Sequence, residues 1–502
     1  MVSEGVSGVD LSTLSNHLWE SANILRGPVD AADFKTYIFP LLFFKRISDV
    51  YDEETSIALA ESDGDAEYAD FPENHRFQIS EGCHWQDVRA RTSNIGHALQ
   101  SAMRGIEQAN PDTLHGIFGD AQWSNKERLS DNLLKDLIEH FSKLSLGNRT
   151  TESDILGQSY EYLIKKFADA TNKKAGEFYT PRSVVALMTR ILSPQAGETI
   201  YDPACGTGGM LLEAIHHVRR SGGNVRMLLG RLFGQEKNLT TSAIARMNLF
   251  LHGAEDFRIE RGDTLRSPAF YAGDNLATFD CVIANPPFSL EKWGDEIWGS
   301  DPFGRNFTGL PPASSGDFAW VQHMVKSMAP KTGRMAVVLP HGVLFRMAKE
   351  GAIRKRILEM DILEALIGLG PNLFYGTGLA ACVLVFRVRK PKERKGKVLI
   401  IDASRQFKRG RAQNELLPEH VERIYQWYTD GRDVAGVARM VNLKEITEND
   451  HNLNIPRYVE PVIEEETITV EDALINLKSS LEAAYAAEDR LEHLLRQAGL
   501  MS

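Results

Sequence analysis

Apolar positions recur at helical spacing near the start of the chain. Leu11, Leu14, Leu18, Ala22 and Leu25 fall on one face of a helix predicted over 11–25. Further helices are predicted over Phe34 to Tyr51 and over Asn132 to Leu144, while the acidic, Gly- and Asp-containing stretch Glu61 to Asp70 reads as a loop. From about residue 151 the pattern changes, and apolar runs of strand length alternate with helical stretches. Thr199 to Tyr201, Arg231 to Gly234, Asp280 to Ala284, Arg334 to Leu339 and Ala380 to Val388 are strand candidates, and Met210 to Arg220 is a helix after the first of them. This rhythm predicts an α/β fold with a doubly wound, mainly parallel sheet carrying helices on both faces. Beyond about 400 a basic stretch, Arg405 to Arg411, precedes a final helix predicted from Glu471 to Ala498. Leu474, Leu481, Glu488 and Leu495 interleave with Leu477, Ala484, Leu491 and Ala498, an a/d pattern with one polar interruption. Thr469 and Asp472 fit a capping box at its start. Three regions are expected: an N-terminal helical domain over 1–150, the α/β domain over 151–400, and a C-terminal helical region for partner docking over 401–502.

Composition narrows the class. The 502 residues are 43% hydrophobic and 25% charged, ordinary for a globular protein with a sizeable core. The longest apolar run, Tyr37 to Phe44, is interrupted by Pro40 and is far too short to span a bilayer. The first residues lack the basic-then-apolar order of a secretion signal, so a cytoplasmic protein without a membrane partner is expected. None of the four cysteines has CxxC spacing, and Cys83-His84 lacks a second half, so neither a metal site nor a disulfide framework is expected.

The candidate chemistry lies at the ends of the predicted strands. Asp202-Pro203-Ala204-Cys205-Gly206-Thr207-Gly208-Gly209 follows the first strand and opens a helix. Its glycines allow a sharp turn and close approach of backbone to a ligand, and helix-start N–H groups can meet an anionic group there. Glu236 ends the second strand, where a carboxylate can accept from the two hydroxyls of a ribose, and Asp263 follows the third, where it could accept from an adenine amino group. Each acid alone reads as a surface charge; three in order, each after a strand, favour a nucleotide-type cofactor. Asn285-Pro286-Pro287-Phe288 then follows an apolar strand directly. Two successive prolines make a rigid turn that fixes carbonyl directions. The Asn285 side-chain oxygen and the Pro286 carbonyl can both accept from one NH₂ group, and Phe288 offers a flat face to a base. An adenine amino nitrogen is a poor nucleophile because its lone pair is delocalised into the ring. Two acceptors on its hydrogens favour the pyramidal form in which the lone pair points outward. A base inside a duplex must be flipped out to reach such a site.

These residues resemble the amino-methyltransferase family of DNA methylases, and within it the chain is similar to the modification subunit of type I restriction-modification systems. The resemblance includes Gly176 to Arg182 upstream of the glycine turn, the N-terminal helices, and Asn454 to Tyr458. It implies an S-adenosylmethionine-dependent methyltransferase fold and N6 methylation of adenine in specific DNA sites. By this resemblance Glu177, Phe178, Tyr179, Thr180, Pro181 and Arg182 form the segment that encloses S-adenosylmethionine. Asp202, Ala204, Gly206, Thr207, Gly208 and Gly209 hold its methionine end, Glu236 holds the ribose, and Asn285 to Phe288 bind the target base. The implied partners are double-stranded DNA, a specificity subunit, a restriction subunit and a second copy of the chain. The net charge of −11 agrees with shared DNA holding, because proteins that hold DNA unaided are usually basic. Ser289 to Asp317 is polar and Gly/Pro-rich, either ordering around DNA or a plain surface loop. Cytosine N4 methylation and a protein glutamine or ribosome methyltransferase are the alternatives, because a cytosine amine or an amide NH₂ poses the same problem. An inactive scaffold disagrees with the intact Asn285, Pro286 and Phe288. A nicotinamide-dependent dehydrogenase would need a G-x-G-x-x-G turn that is absent.

Overall fold

The computed structural model describes residues 10–151, 153–170, 180–254, 256–374, 377–411, 413–460 and 470–501. The first helix, Leu11–Leu25, has the predicted bounds, and the Asp10 carboxylate caps it by accepting from the Ser12 and Thr13 amides. The second runs Phe34–Glu61, well past its predicted end at Tyr51. It is buried on every side from Tyr37 to Ser48, so no amphipathic stripe marks where it stops. Its buried charges are matched, Lys45 by Asp49 and Arg46 by the Leu146 carbonyl. The stretch expected to be a loop at 61–70 holds one helical turn, Ala66–Ala69, capped by Asp65. The third predicted helix forms as Asp131–Phe141, with Ser130 capping it.

The helices before residue 150 do not close on themselves. Helix Ser153–Ala170 lies along the first helix, with Ser15 donating to Ser159 at 3.3 Å, and adds Leu156, Tyr160 and Leu163 to the same core. Helix Leu239–Leu251 of the α/β region adds Ala243, Ile244, Met247 and Phe250 to that core, while Ala245 and Leu249 face the core under the sheet. The division expected at 150 is therefore not a break in packing.

The strands are β1 (Ile200–Asp202), β2 (Leu232–Glu236), β3 (Arg258–Arg261), a small hairpin of β4 (Tyr271–Ala272) and β5 (Asn275–Leu276), then β6 (Cys281–Ala284), β7 (Arg334–Pro340), β8 (Leu363–Leu369), β9 (Ala381–Arg387), β10 (Lys397–Ala403) and β11 (Ala438–Asn442). Nine of them make one sheet in the order β11-β10-β8-β9-β7-β6-β1-β2-β3. From β3 through β7 all pairs are parallel; β9 runs antiparallel between β7 and β8. This is the expected doubly wound sheet with a reversed strand inserted. The division expected at 400 falls inside β10, and the sheet continues to β11, so the region after 400 is not helical alone. β11 is an edge strand whose residues are mostly part-exposed, and it lacks the apolar run that betrays a buried strand.

Residues 460–502 separate from the rest as a second compact unit. It holds a 28-residue helix, Val470–Gln497, along which Leu474, Leu477, Leu481 and Leu491 are exposed. Thr469 of the expected capping box lies outside the described residues. Among the described residues no helix is long and apolar enough to cross a membrane.

Candidate active site

The direction of the crossovers reverses at β1, which has β2 on one side and β6 on the other. In open α/β sheets the crevice at the carboxyl ends of such strands is where ligands bind. β1 and β6 run parallel with Tyr201 opposite Val282, so the glycine turn and the Asn-Pro-Pro-Phe motif leave the sheet at the same edge.

The glycine turn is tied to β2 by the Cys205 amide, which donates to the Gln235 carbonyl at 3.0 Å. Gly206 and Gly208 have φ of +52° and +81°, in the left-handed region that glycine enters without strain. The two differ in surroundings. A Cβ on Gly208 would meet Ala245 at 3.4–3.6 Å, so this glycine serves helix packing. A Cβ on Gly206 or Gly209 would meet nothing within 4 Å. The turn therefore faces an open cradle on the ligand side, and helix Gly209–Arg220 starts beneath it. Thr207 is held from below, where the Asn248 Nδ2 donates to its carbonyl at 3.0 Å.

The acids gather around this cradle. Glu236 at the end of β2 accepts from the Gly206 amide at 3.1 Å and from the Asn238 amide at 2.8 Å. Asp202 is buried and accepts from the Ala204 amide at 3.0 Å. Burial, and then the neighbouring Glu236 charge, push the Asp202 carboxyl up to about 8 against the opposing Ala204 hydrogen bond. Asp263 follows β3 as expected, but its carboxylate pairs with Lys237 at 2.9 Å. Thr264 beside it donates to the Pro203 carbonyl at 2.6 Å and so joins the third strand's turn to the glycine turn. Neither Thr264 nor Asn248 was among the expected site residues. Both act through backbone carbonyls, which leaves no motif to find.

Of the upstream segment, Glu177, Phe178 and Tyr179 lie outside the described residues. Thr180 reaches the Asn-Pro-Pro-Phe motif through its hydroxyl. Pro181 is the N-cap residue of helix Arg182–Leu192, and Arg182 pairs with Glu161 on helix Ser153–Ala170. Asn285 leaves β6 almost completely buried; its Nδ2 donates to the Thr180 hydroxyl at 2.8 Å, and its Oδ1 is buried with no partner among the described residues. Pro286 is buried, and Phe288 is half-buried with its ring 5.9 Å from Phe374 in an edge-to-face arrangement. The motif is then pinned. Ser289 has a φ of +48°, and its amide donates at 2.7 Å to Asp317, which also accepts from Ser315 and pairs with Arg346.

The stretch from Ser289 to Asp317 is not a plain surface loop. Trp293 and Trp298 are buried with Leu265, Ala319 and Trp320 in a small core of their own. Arg305 is buried there too, paired with Asp301 at 2.7 Å and donating to the Thr264 and Leu265 carbonyls. Through these contacts the segment is joined to the turn after β3.

Residues 151–467 match the model of the N-6 DNA Methylase family, and residues 14–141 match that of the HsdM N-terminal domain. The chain belongs to the N-6 DNA methylase family. It is 32% identical over 492 residues to the type I restriction enzyme MjaVII methylase subunit of Methanocaldococcus jannaschii, covering 93% of this chain and 81% of the relative. The type I restriction enzyme HindI methylase subunit of Haemophilus influenzae is 30% identical, covering 80% of this chain and 91% of the relative. The crystal structure of a type I restriction-modification methyltransferase subunit from Streptococcus thermophilus superposes with a TM-score of 0.77 at 31% identity, over 90% of this chain and 100% of that one. The methylase is thus a modification subunit of the type I class and an adenine N6 methyltransferase that uses S-adenosylmethionine. Subunits of this class work with specificity and restriction subunits on DNA. The protein glutamine and ribosome alternatives fall away with this family assignment.

The cradle fits this cofactor: open space over Gly206 and Gly209, a carboxylate at the end of β2, and a buried acid in a polar turn. A cation placed near Asp202 would favour its ionised form, so binding below about pH 8 must release a proton. Affinity for S-adenosylmethionine is expected to rise with pH, by up to about tenfold per unit, and to level off above about 8. Calorimetry across pH 6–9 (roughly the window set by that pKa) on the wild type and on Asp202→Asn checks this. The variant should lose the slope, and a slope unchanged in the variant would remove Asp202 from the cofactor site.

Proposed function

We propose that Asn285 and Pro286 activate the amino group of a flipped-out adenine in double-stranded DNA at the edge of the glycine-turn crevice. The observation that carries this reading is the Asn285 Oδ1, an acceptor that is buried, aimed away from its Thr180 contact and without a partner among the described residues. A buried carbonyl oxygen without a donor is costly, and such atoms in native structures call for an explanation. An amino hydrogen of the target base supplies the donor. The Pro286 carbonyl, held by the proline pair, takes the second hydrogen, and Phe288 stacks on the base with Pro287 stiffening the turn between them. With both hydrogens held, the nitrogen lone pair is directed out of the ring plane. S-Adenosylmethionine supplies a sulfonium methyl, which is electrophilic without further activation. Asp202, Ala204, Gly206, Thr207, Gly208 and Gly209 hold its methionine end, Glu236 its ribose and Asp263 its adenine, with the 177–182 segment closing over it. Positioning and fixed dipoles then carry the barrier reduction.

The wider assembly is part of the same reading. The chain is acidic, so a specificity subunit supplies base readout and much of the phosphate attraction, two copies of this chain flank it, and the complex acts in the cytoplasm. The exposed leucines of helix Val470–Gln497 repeat at seven-residue spacing and suit packing against helices of that subunit. Co-purification tests this. A chain ending at Val459, the limit of the first compact unit, is expected to lose the specificity subunit while retaining its own fold. Full assembly and site-specific methylation by that shortened chain would refute the docking role of the helix, and site-specific methylation by the isolated full-length chain would refute the need for a partner.

A further inference from the structure

The basic stretch Arg405 to Arg411 follows β10, and the sheet decides which way it faces. β10 runs parallel to β8, β8 and β7 both run antiparallel to β9, and β7 runs parallel to β6. The stretch therefore leaves at the carboxyl edge, the edge that also carries the glycine turn and Asn285. Its base is well anchored. Lys408 and Glu415 exchange amide hydrogen bonds at 2.8 and 2.9 Å, and Phe407 packs inward against the core under the sheet. The Asn414 amide donates to the Asn372 carbonyl at 2.8 Å, its Nδ2 to the Pro371 carbonyl at 2.9 Å, and the Gln413 Nε2 to the Leu373 carbonyl at 2.5 Å. The segment gripped in this way ends at Phe374, whose ring meets that of Phe288. The charges are a different matter. Arg405, Lys408, Arg409 and Arg411 are all exposed, no acidic residue lies between 405 and 414, and none of the four forms an ion pair among the described residues. In a chain of net charge −11 this is a local exception.

We propose that this loop is a clamp for the phosphate backbone of the duplex whose adenine enters the crevice. The inference rests on the reading of that crevice as the site of a flipped base. A flipped base stays bonded to its strand, so the duplex has to cross the carboxyl edge of the sheet. From β6 to β10 there are four strand spacings, roughly 19 Å in all. The loop therefore meets phosphates beside the target and not those of the flipped nucleotide. The arginine fork suits phosphate oxygens in pairs, and lysine adds a point charge. Such contacts fix the register of a duplex without reading its sequence, which leaves base readout to the specificity subunit. Arg389, Lys392 and Lys395 are exposed too, but they stand between β9 and β10 at the opposite edge of the sheet. They provide a charge-matched control.

The test uses the complex assembled with the specificity subunit and a labelled duplex that the wild-type complex methylates. Its Kd is measured from about 50 to 200 mM salt, the range over which counterion release is read. In K408Q/R409Q/R411Q the slope of log affinity against log salt is expected to become shallower by about 2 to 3, and the affinity at about 0.1 M salt to fall about 10-fold or more. The Kd for S-adenosylmethionine should stay within about twofold of wild type, which reports an intact fold. In R389Q/K392Q/K395Q the slope should change by less than about 0.5, because those charges lie beyond the screening length from the duplex. R409K/R411K keeps the charge and should keep the slope. An unchanged slope in the loop variant would overturn the proposal, and so would an equal change in both triple variants, which would make it a matter of net charge. Loss of the specificity subunit from the loop variant would assign these cations to a protein interface instead, and a slope lost in R409K/R411K would make the effect one of loop structure. Asn285→Ala is read alongside for methyl transfer. Normal transfer there would remove the reading of the crevice, whereas the slopes of the loop and control variants decide the clamp in either case.

Discussion

Asn285→Ala is expected to fold, to bind S-adenosylmethionine with near-normal affinity, and to lose methyl transfer by about 100- to 1000-fold. The side chain is small and makes one hydrogen bond through Nδ2, so its removal costs about 1 kcal/mol of stability. Its oxygen has no hydrogen-bond partner among the described residues. On the proposed reading, the side chain offers an acceptor for a hydrogen of the substrate amine. Loss of such a preorganised polar group acts on the reacting state and not on the resting one. The separation is the informative part: calorimetry should report an intact cofactor site, and tritium transfer from labelled cofactor to DNA should report almost nothing. Near-normal transfer by the variant would remove Asn285 from the chemistry.

Gly206→Val is expected to do the reverse, weakening S-adenosylmethionine binding by about 100-fold or more, equivalent to about 3 kcal/mol. Two effects add. The backbone at Gly206 has φ +52°, a conformation that costs a branched side chain about 1–2 kcal/mol. The new side chain would also project where no protein atom lies within 4 Å, into the open space of the cradle. Because it meets no protein atom there, the damage falls on the ligand more than on the core. Fluorescence or calorimetric titration of the purified chain measures it, and unchanged affinity would show that the cradle over Gly206 is not where the cofactor lies.

The parts of the site that were legible in the sequence are those that end strands. Asp202 and Glu236 end β1 and β2, and Asn285 directly follows the apolar β6. The glycine turn was legible because its backbone geometry restricts residue type. What pairs across the chain was not. No pattern says that Thr180 faces Asn285, that Asn248 braces Thr207, or that Asp263 turns to Lys237. Composition also misled at 289–317, where glycines, prolines and charges surround Trp293, Trp298 and the buried Arg305. Two indoles and one matched ion pair are enough to give a polar stretch its own core. The boundary at 400 failed for a different reason, since the basic run that suggested it begins just after β10 and the edge strand β11 has no strong signature.

Helix Leu239–Leu251 has two dry sides, one in the N-terminal helical core and one beneath the sheet. Two neighbouring genes of this kind could not trade their front halves freely by recombination near codon 150. Each front half would arrive carrying a surface shaped to its own Ala243, Ile244, Met247 and Phe250, and a foreign helix would meet it with the wrong bumps and hollows. Inheritance of the N-terminal helices is therefore coupled to inheritance of one particular helix of the catalytic half.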